Sequence, residues 1–179
     1  MTLLDLAINS RRPVVDAQGF ADLYKTYTAA VFNYCLFRVG DRVAAEDLTA
    51  DTFERAWRAR HRYQAEQAQF STWLFIIARR TVTDWQRRQA RRPLIKLKPS
   101  HPAADSSPET AVEESEQQTQ LRRLIGRLEP QEQELIALKF GAGMTNRDIA
   151  PLIGKSETAV GSALYRLMQK LRSQWNEIN

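Results

Sequence analysis

The amino-acid sequence predicts an all-α protein built from two small helical domains joined by an acidic, flexible linker, the second domain containing a helix-turn-helix. Three observations carry this prediction. Seven Gly and seven Pro in 179 residues are too few for the closely spaced turns of an all-β chain. Apolar residues recur at helical spacing on both sides of a central stretch. That stretch, residues 99–120, holds five acids and no Lys or Arg, and is rich in Pro, Ser, Ala and Gln. It has too little apolar surface to offset the entropy of ordering, so it reads as a linker. The boundaries that follow are an N-terminal extension over 1–18, a first domain over 19–95, the linker over 96–118 and a second domain over 119–179.

In the first domain, Phe20–Phe37 is an apolar-periodic run that ends near Gly40. Asp41 can cap the next helix, which runs to about Arg62. Its opening turns carry Glu46, Asp47, Asp51 and Glu54 and its end carries Arg55, Arg58, Arg60 and Arg62, an order that complements the helix dipole. The polar stretch Tyr63–Gln69 breaks the pattern before a third helix over about Ser71–Arg91. At 100° per residue, Leu74, Ile77, Ala78, Thr81, Val82 and Trp85 form its inward face. Trp73, Arg80, Thr83, Arg87 and Arg91 lie opposite. Guanidiniums that hold phosphates, in line with an indole that stacks on an unpaired base, suit a nucleic-acid strand. The same pattern is met if Trp73 packs on a neighbouring helix and the arginines form a solvated face.

In the second domain, LRRLIGRL and QEQELIALKF read as two helices, with Pro130 near the start of the second. Thr145 and Asp148 make a capping box for a short helix, Gly154 ends it, and Ser156 caps a longer one. A short helix, a tight turn and a longer helix describe a helix-turn-helix. Val160, Leu164, Leu167, Met168 and Leu171 are its expected core stripe. Thr158, Ser162, Tyr165, Arg166 and Gln169 face outward, where a major groove could be read. Pro151 breaks a local rule, because it sits past the first turn of the short helix.

Charge and composition narrow the partners. Net charge is +5 and the isoelectric point about 9.6, which favours a polyanionic partner. The charge is unevenly placed: net zero over 1–78, +7 over 79–98, −5 over 99–120 and +3 over 121–179. The single cysteine, Cys35, excludes an internal disulfide and a multi-cysteine zinc site; within VFNYCLF it reads as a buried small hydrophobe. His61 and His101 lack ligand-like neighbours, so no metal or cofactor is expected. No nucleophile–base pair or Gly-rich phosphate loop points to an enzyme. No stretch nears the roughly 18 apolar residues of a membrane span, so no membrane insertion is expected and the cytoplasm is the expected location.

Four segments in order carry a family resemblance: F-x-x-L-Y at Phe20–Tyr24, GDRVAAEDLTADTFERAW, FSTWLFIIARRTVTDWQRR, and RLEPQEQELIALKF followed by the helix-turn-helix. Together, from about Phe20 to Arg172, the chain resembles an extracytoplasmic-function sigma factor of bacterial RNA polymerase, in group 4 of the sigma-70 family. The resemblance implies a non-enzymatic factor that directs promoter-specific initiation. It makes the first domain region 2 and the second region 4. It places Glu46, Asp47, Asp51, Phe53, Glu54 and Trp57 at the β′ clamp helices of core polymerase. Phe70, Trp73, Arg79, Arg80, Asp84, Arg87 and Arg88 fall at the −10 element, with the strand melted and bound single-stranded. Arg147, Thr158, Ser162, Tyr165 and Arg166 fall at the −35 duplex, and an apolar surface of region 4 meets the β flap. An anti-sigma factor is a further partner that the resemblance admits.

The chain departs from the family pattern in three places. Arg80 stands where Asn is frequent, and Gly161 and Ala163 stand where basic residues are common. The main rival is a stand-alone helix-turn-helix regulator, which would need only residues 119–176 and would leave the acidic helix and the Trp–Arg face of the first domain without a role.

Overall fold

The computed structural model describes residues 16–91 and 116–178, and the described residues are helical with no strand. Helix α1 spans Ala17–Val39. The Asp16 carboxylate accepts from the Gly19 N–H at 2.8 Å at its start, and Gly40 closes it by donating to the Leu36 carbonyl. Asp41 then caps α2, Arg42–Ala59, by accepting from the Ala44 N–H at 2.6 Å. The helix stops three residues earlier than its sequence pattern suggests: Arg60–Arg62 tightens into a 3₁₀ turn, a common way for a last turn to end. Helix α3 spans Phe70–Arg91.

These three helices close on Val31, Tyr34, Cys35, Leu74, Phe75 and Val82, each at most 1% exposed. Tyr34 and Phe75 meet edge to face at 5.6 Å. Buried hydroxyls are satisfied locally: Thr49 donates to Ala45 O and Thr52 to Leu48 O, both at 2.7 Å, which removes the cost of burying an unpaired polar group.

The second unit begins with α4, Glu116–Gly126. Helix α5, Pro130–Ile136, carries Pro at its first position, where a missing N–H costs nothing. It continues into a π-helical turn, Ala137–Gly141, in which the Ala142 N–H reaches back five residues to Ala137 O at 2.9 Å. Helices α6, Asn146–Ile153, and α7, Glu157–Ile178, follow. Thr145 and Asp148 form the reciprocal capping box, with backbone N–H contacts of 3.3 and 3.2 Å. Gly154 takes the left-handed conformation at φ 65°, which a residue with a Cβ adopts only with strain, and Ser156 accepts from the Ala159 N–H. Helix α6 runs through Pro151, which is exposed. Of the expected α7 stripe, Val160, Leu164, Leu167 and Leu171 are buried, but Met168 is 47% exposed. It lies on the flank of the stripe and contributes little to the core.

The linker expected at 96–118 and the extension at 1–18 lie largely outside the described residues. The two units are in contact, however. Helix α1 packs on α5 and the π turn, and α3 packs on α6. Gly141 is buried where the π turn meets α1: a Cβ there would stand 3.1 Å from the Asn33 carbonyl oxygen and 3.1 Å from Phe37 Cδ2. A helical backbone carbonyl has little room to yield.

Gly141→Ala should therefore destabilise the protein by about 1–3 kcal/mol, read as a lower urea midpoint at unchanged slope. Cys35 gives a second check. It is fully buried, and burial pushes its thiol up to about 12, with a Thr49 hydrogen bond pulling weakly the other way. Because the thiolate is the reactive form, Cys35 should resist a disulfide reagent at mildly alkaline pH and titrate fully once urea unfolds the chain.

Candidate polymerase and nucleic-acid interfaces

The capped, amphipathic α2 turns Val43, Glu46, Asp47, Glu54 and Trp57 to solvent while Ala45, Leu48, Thr52, Phe53 and Ala56 face inward. Glu46 pairs with Arg42 at 3.1 Å and Asp51 with Arg55 at 2.8 Å, each one turn apart; Glu54 pairs with Arg58. The Asp51 hydrogen bond, against the opposing effect of burial, holds Arg55 more firmly protonated. Asp47 is exposed with no ion-pair partner among the described residues. Trp57 keeps part of its ring in solvent, with the Arg60 guanidinium 3.7 Å from the ring centroid. Phe53 corrects the sequence reading. It is 4% exposed and packs on Phe20 and Tyr24 at 6.4 and 4.6 Å, so it supports the acidic face from behind. Tyr24, which ends the F-x-x-L-Y segment, and Val43 are 45% and 68% exposed; the sequence reading gives neither a contact role, because isolated exposed apolar residues carry no periodic signal.

On α3, Arg80, Arg87, Arg88 and Arg91 are exposed. Asp84 is half-exposed and lies 3.4 Å from Arg55 Nη1, tying α3 to α2. Three other candidates are placed differently from expectation. Phe70 is 7% exposed, enclosed by Phe20, Tyr27 and Tyr63, and is a core residue. Trp73 is half-buried, with its ring 5.3 Å from Tyr63 and 5.4 Å from Phe70, rather than standing free in line with the arginines. The loop beneath is held by the Tyr63 hydroxyl, which donates to Ala68 O at 3.2 Å; burial raises the Tyr63 pKa. Arg79 turns away from the arginine face. Its Nε donates to Glu134 at 2.8 Å and its Nη1 to the Leu152 carbonyl.

The helix-turn-helix keeps its outward residues free. Arg147, Thr158, Ser162, Tyr165 and Arg166 are all exposed, Tyr165 by 67%. Gly161 lies toward α6, where a Cβ would meet only Asn146 Nδ2 at an ordinary 3.4 Å; Ala163 packs partly against the core. Glu134 is the residue that sequence reasoning missed. Within QEQELIALKF it reads as one surface acid among several, yet in the fold its carboxylate is 13% exposed. It accepts from the Tyr34 hydroxyl at 2.9 Å and from Arg79, and lies 3.0 Å from Arg38 Nε. Burial above all, then the Glu134 charge, raises the Tyr34 pKa well above its ordinary value.

Among the described residues, no cluster of His, Cys, Asp and Glu could hold a metal and no helix is long and apolar enough to cross a membrane. The family model for sigma-70 region 2 matches residues 23–92, and that for sigma-70 region 4 matches residues 118–171. The chain is 34% identical over 158 residues to the ECF RNA polymerase sigma factor BldN of Streptomyces coelicolor, covering 87% of this chain and 60% of that protein. It is 25% identical over 154 residues to the RNA polymerase sigma factor YlaC of Bacillus subtilis, covering 84% and 88%. Two solved structures share the fold. One is CnrH in complex with the cytosolic domain of CnrY, with TM-score 0.68, 21% identity and 92% of each chain covered. The other is the sigma factor RpoE in complex with the anti-sigma factor NepR from Bartonella quintana, with TM-score 0.69, 18% identity and 89% and 98% covered. With both regions matched in order, each on its own helical unit, the chain belongs to the sigma-70 family of RNA polymerase sigma factors, in its extracytoplasmic-function group.

Proposed function

We propose that this chain binds core RNA polymerase in the cytoplasm and directs it to promoters, making and breaking no covalent bond itself. The observation that carries the reading is that both regions are matched in order and that region 2 keeps two separate exposed faces, an acidic–aromatic one on α2 and a basic one on α3. Docking on the β′ clamp helices falls to Glu46, Asp47, Glu54 and Trp57, with Asp51 and Phe53 behind them. The −10 strand is held by Arg80, Arg87 and Arg88, with the half-buried Trp73 at the edge of that face. The −35 duplex is read by Arg147, Thr158, Ser162, Tyr165 and Arg166 on the helix-turn-helix, and the β flap meets an apolar surface of region 4. An anti-sigma factor is a further partner, by likeness to the sigma factor RpoE, which was solved in complex with the anti-sigma factor NepR. Base-stacking and phosphate contacts would provide the binding energy: about 1–3 kcal/mol for each stacked base, against a few kcal/mol to unstack it.

The direct test is run-off transcription from the gene's own upstream region by core polymerase with and without the pure protein. A transcript that depends on the protein is the expected result; a protein that binds that DNA but never changes polymerase output would instead be a stand-alone regulator. Asp47→Lys tests docking most cleanly, because Asp47 has no ion-pair partner among the described residues. It should weaken association with core polymerase about tenfold, chiefly through the on-rate and most strongly at low salt, while the melting temperature holds. For the −10 face, Arg80→Ala with Arg87→Ala should weaken single-stranded DNA binding. It should also reduce the slope of log affinity against log salt by about 1.4, the loss of two phosphate contacts, as measured by a fluorescence anisotropy titration.

A further inference from the structure

The arginine face of α3 is a narrow stripe, and it holds an apolar side chain that helical periodicity alone did not assign to it. At about 100° per residue, positions 76, 80, 83 and 87 fall within about 60° of one another around the helix. Arg80 and Arg87 are exposed and Thr83 is partly exposed. Neither arginine is in an ion pair among the described residues, so both guanidiniums are available to phosphate. Ile76 stands in the same stripe, one turn before Arg80, and is 36% exposed. It is not among the residues that the resemblance places at the −10 element. Trp73, which is, lies at the edge of the arc with its ring engaged by Tyr63 and Phe70.

A lone exposed isoleucine is ordinary on a protein surface; what distinguishes Ile76 is its place in line with two phosphate-binding groups. The arginines hold a strand whatever its sequence, and the Thr83 hydroxyl already donates to the Arg79 carbonyl at 2.8 Å. Ile76 is therefore the apolar contact of the stripe. It has no donor or acceptor for a base edge and no planar ring on which a base could stack. What it meets favourably is apolar surface on the strand. Of the four DNA bases, thymine alone carries an apolar substituent, its C5-methyl group, which apolar side chains recognise in base readout. An unpaired thymine presents that methyl free of the walls of a groove.

We propose that Ile76 is a specificity-determining residue: it packs on the C5-methyl of a thymine in the single strand whose phosphates Arg80 and Arg87 hold. The proposal rests on the reading of α3 as the −10 face. Phosphate contacts fix the strand and its register but carry no sequence information, and the Ile76 contact adds a preference for thymine at one position. Removing one methyl group from water changes affinity about fourfold.

The experiment compares two fluorescent single strands of about 15 nucleotides, oligodeoxythymidylate and oligodeoxyuridylate, which differ in the C5-methyl alone. The full chain is used as wild type, Ile76→Ala, Ile76→Lys and Arg80→Ala. Circular dichroism confirms folding, and anisotropy titrations over a range of salt read affinity. Wild type should prefer the thymidylate strand about fourfold. Ile76→Ala should bind the two strands equally, whereas Arg80→Ala should weaken both and keep their ratio. Ile76→Lys should lose the preference and steepen the slope of log affinity against log salt by about 0.7, the gain of one phosphate contact. Equal affinity of wild type for the two strands, or a preference that survives in Ile76→Ala, overturns the thymine contact and leaves the basic face standing. An unchanged salt slope in Ile76→Lys overturns the placing of Ile76 against the strand. If wild type binds neither strand, the −10 reading of α3 fails and the proposal falls with it.

Discussion

A largely buried carboxylate that must serve two arginines, one of them buried, sets the arrangement of this molecule. Glu134 can meet Tyr34, Arg38 and Arg79 together only if α5 lies across α1 and α3 in one register. A shift of an ångström would leave a guanidinium desolvated and unpaired, which costs far more than a surface ion pair returns. The other features of the seam follow from that register. The π turn after α5 carries Gly141 to the α1 backbone, and α6 presents the Leu152 carbonyl to the remaining donor of Arg79.

Neighbouring residues on one helix consequently have different environments. Arg79 and Arg80 are adjacent, yet a rotation of about 100° along the helix directs one into a buried cluster and the other into solvent. The same rotation separates Phe53 from Glu54 on α2, and Leu167 from Met168 on α7. Helices α2, α3 and α7 thus each carry two surfaces, an apolar one that fixes the helix in the core and a polar one that stays in solvent.

Within region 2 the aromatic residues do the positioning. Phe20, Tyr27, Tyr63, Phe70 and Trp73 contact one another at 5.3–6.4 Å, which joins the start of α1, the loop after α2 and the start of α3. Edge-to-face and tilted packing of this kind adds about 0.5–1.5 kcal/mol per pair beyond burial. It also fixes the loop at 63–69 relative to the arginines of α3. Trp73 belongs to this cluster first, and whatever contact it makes with a strand it makes from there.

How much was legible beforehand depended on the range of the interactions involved. The helices of the first unit, the break at 63–69, the Asp41 cap, the Thr145–Asp148 capping box, the Gly154 stop and the helix-turn-helix are encoded by residues a few positions apart. Helical periodicity and backbone capping act over that range, so the sequence by itself determined them, together with the all-α class and the separation of acidic and basic faces. The roles of Phe53, Phe70, Arg79 and Glu134 were decided only in the tertiary structure. A single apolar or charged side chain on an amphipathic helix can be surface or core according to what packs over it. For Glu134 the partners lie 55 residues away at Arg79 and 100 at Tyr34. No local pattern encodes a contact over that distance; it exists because the packing of α5 against α1 and α3 brings opposite charges together.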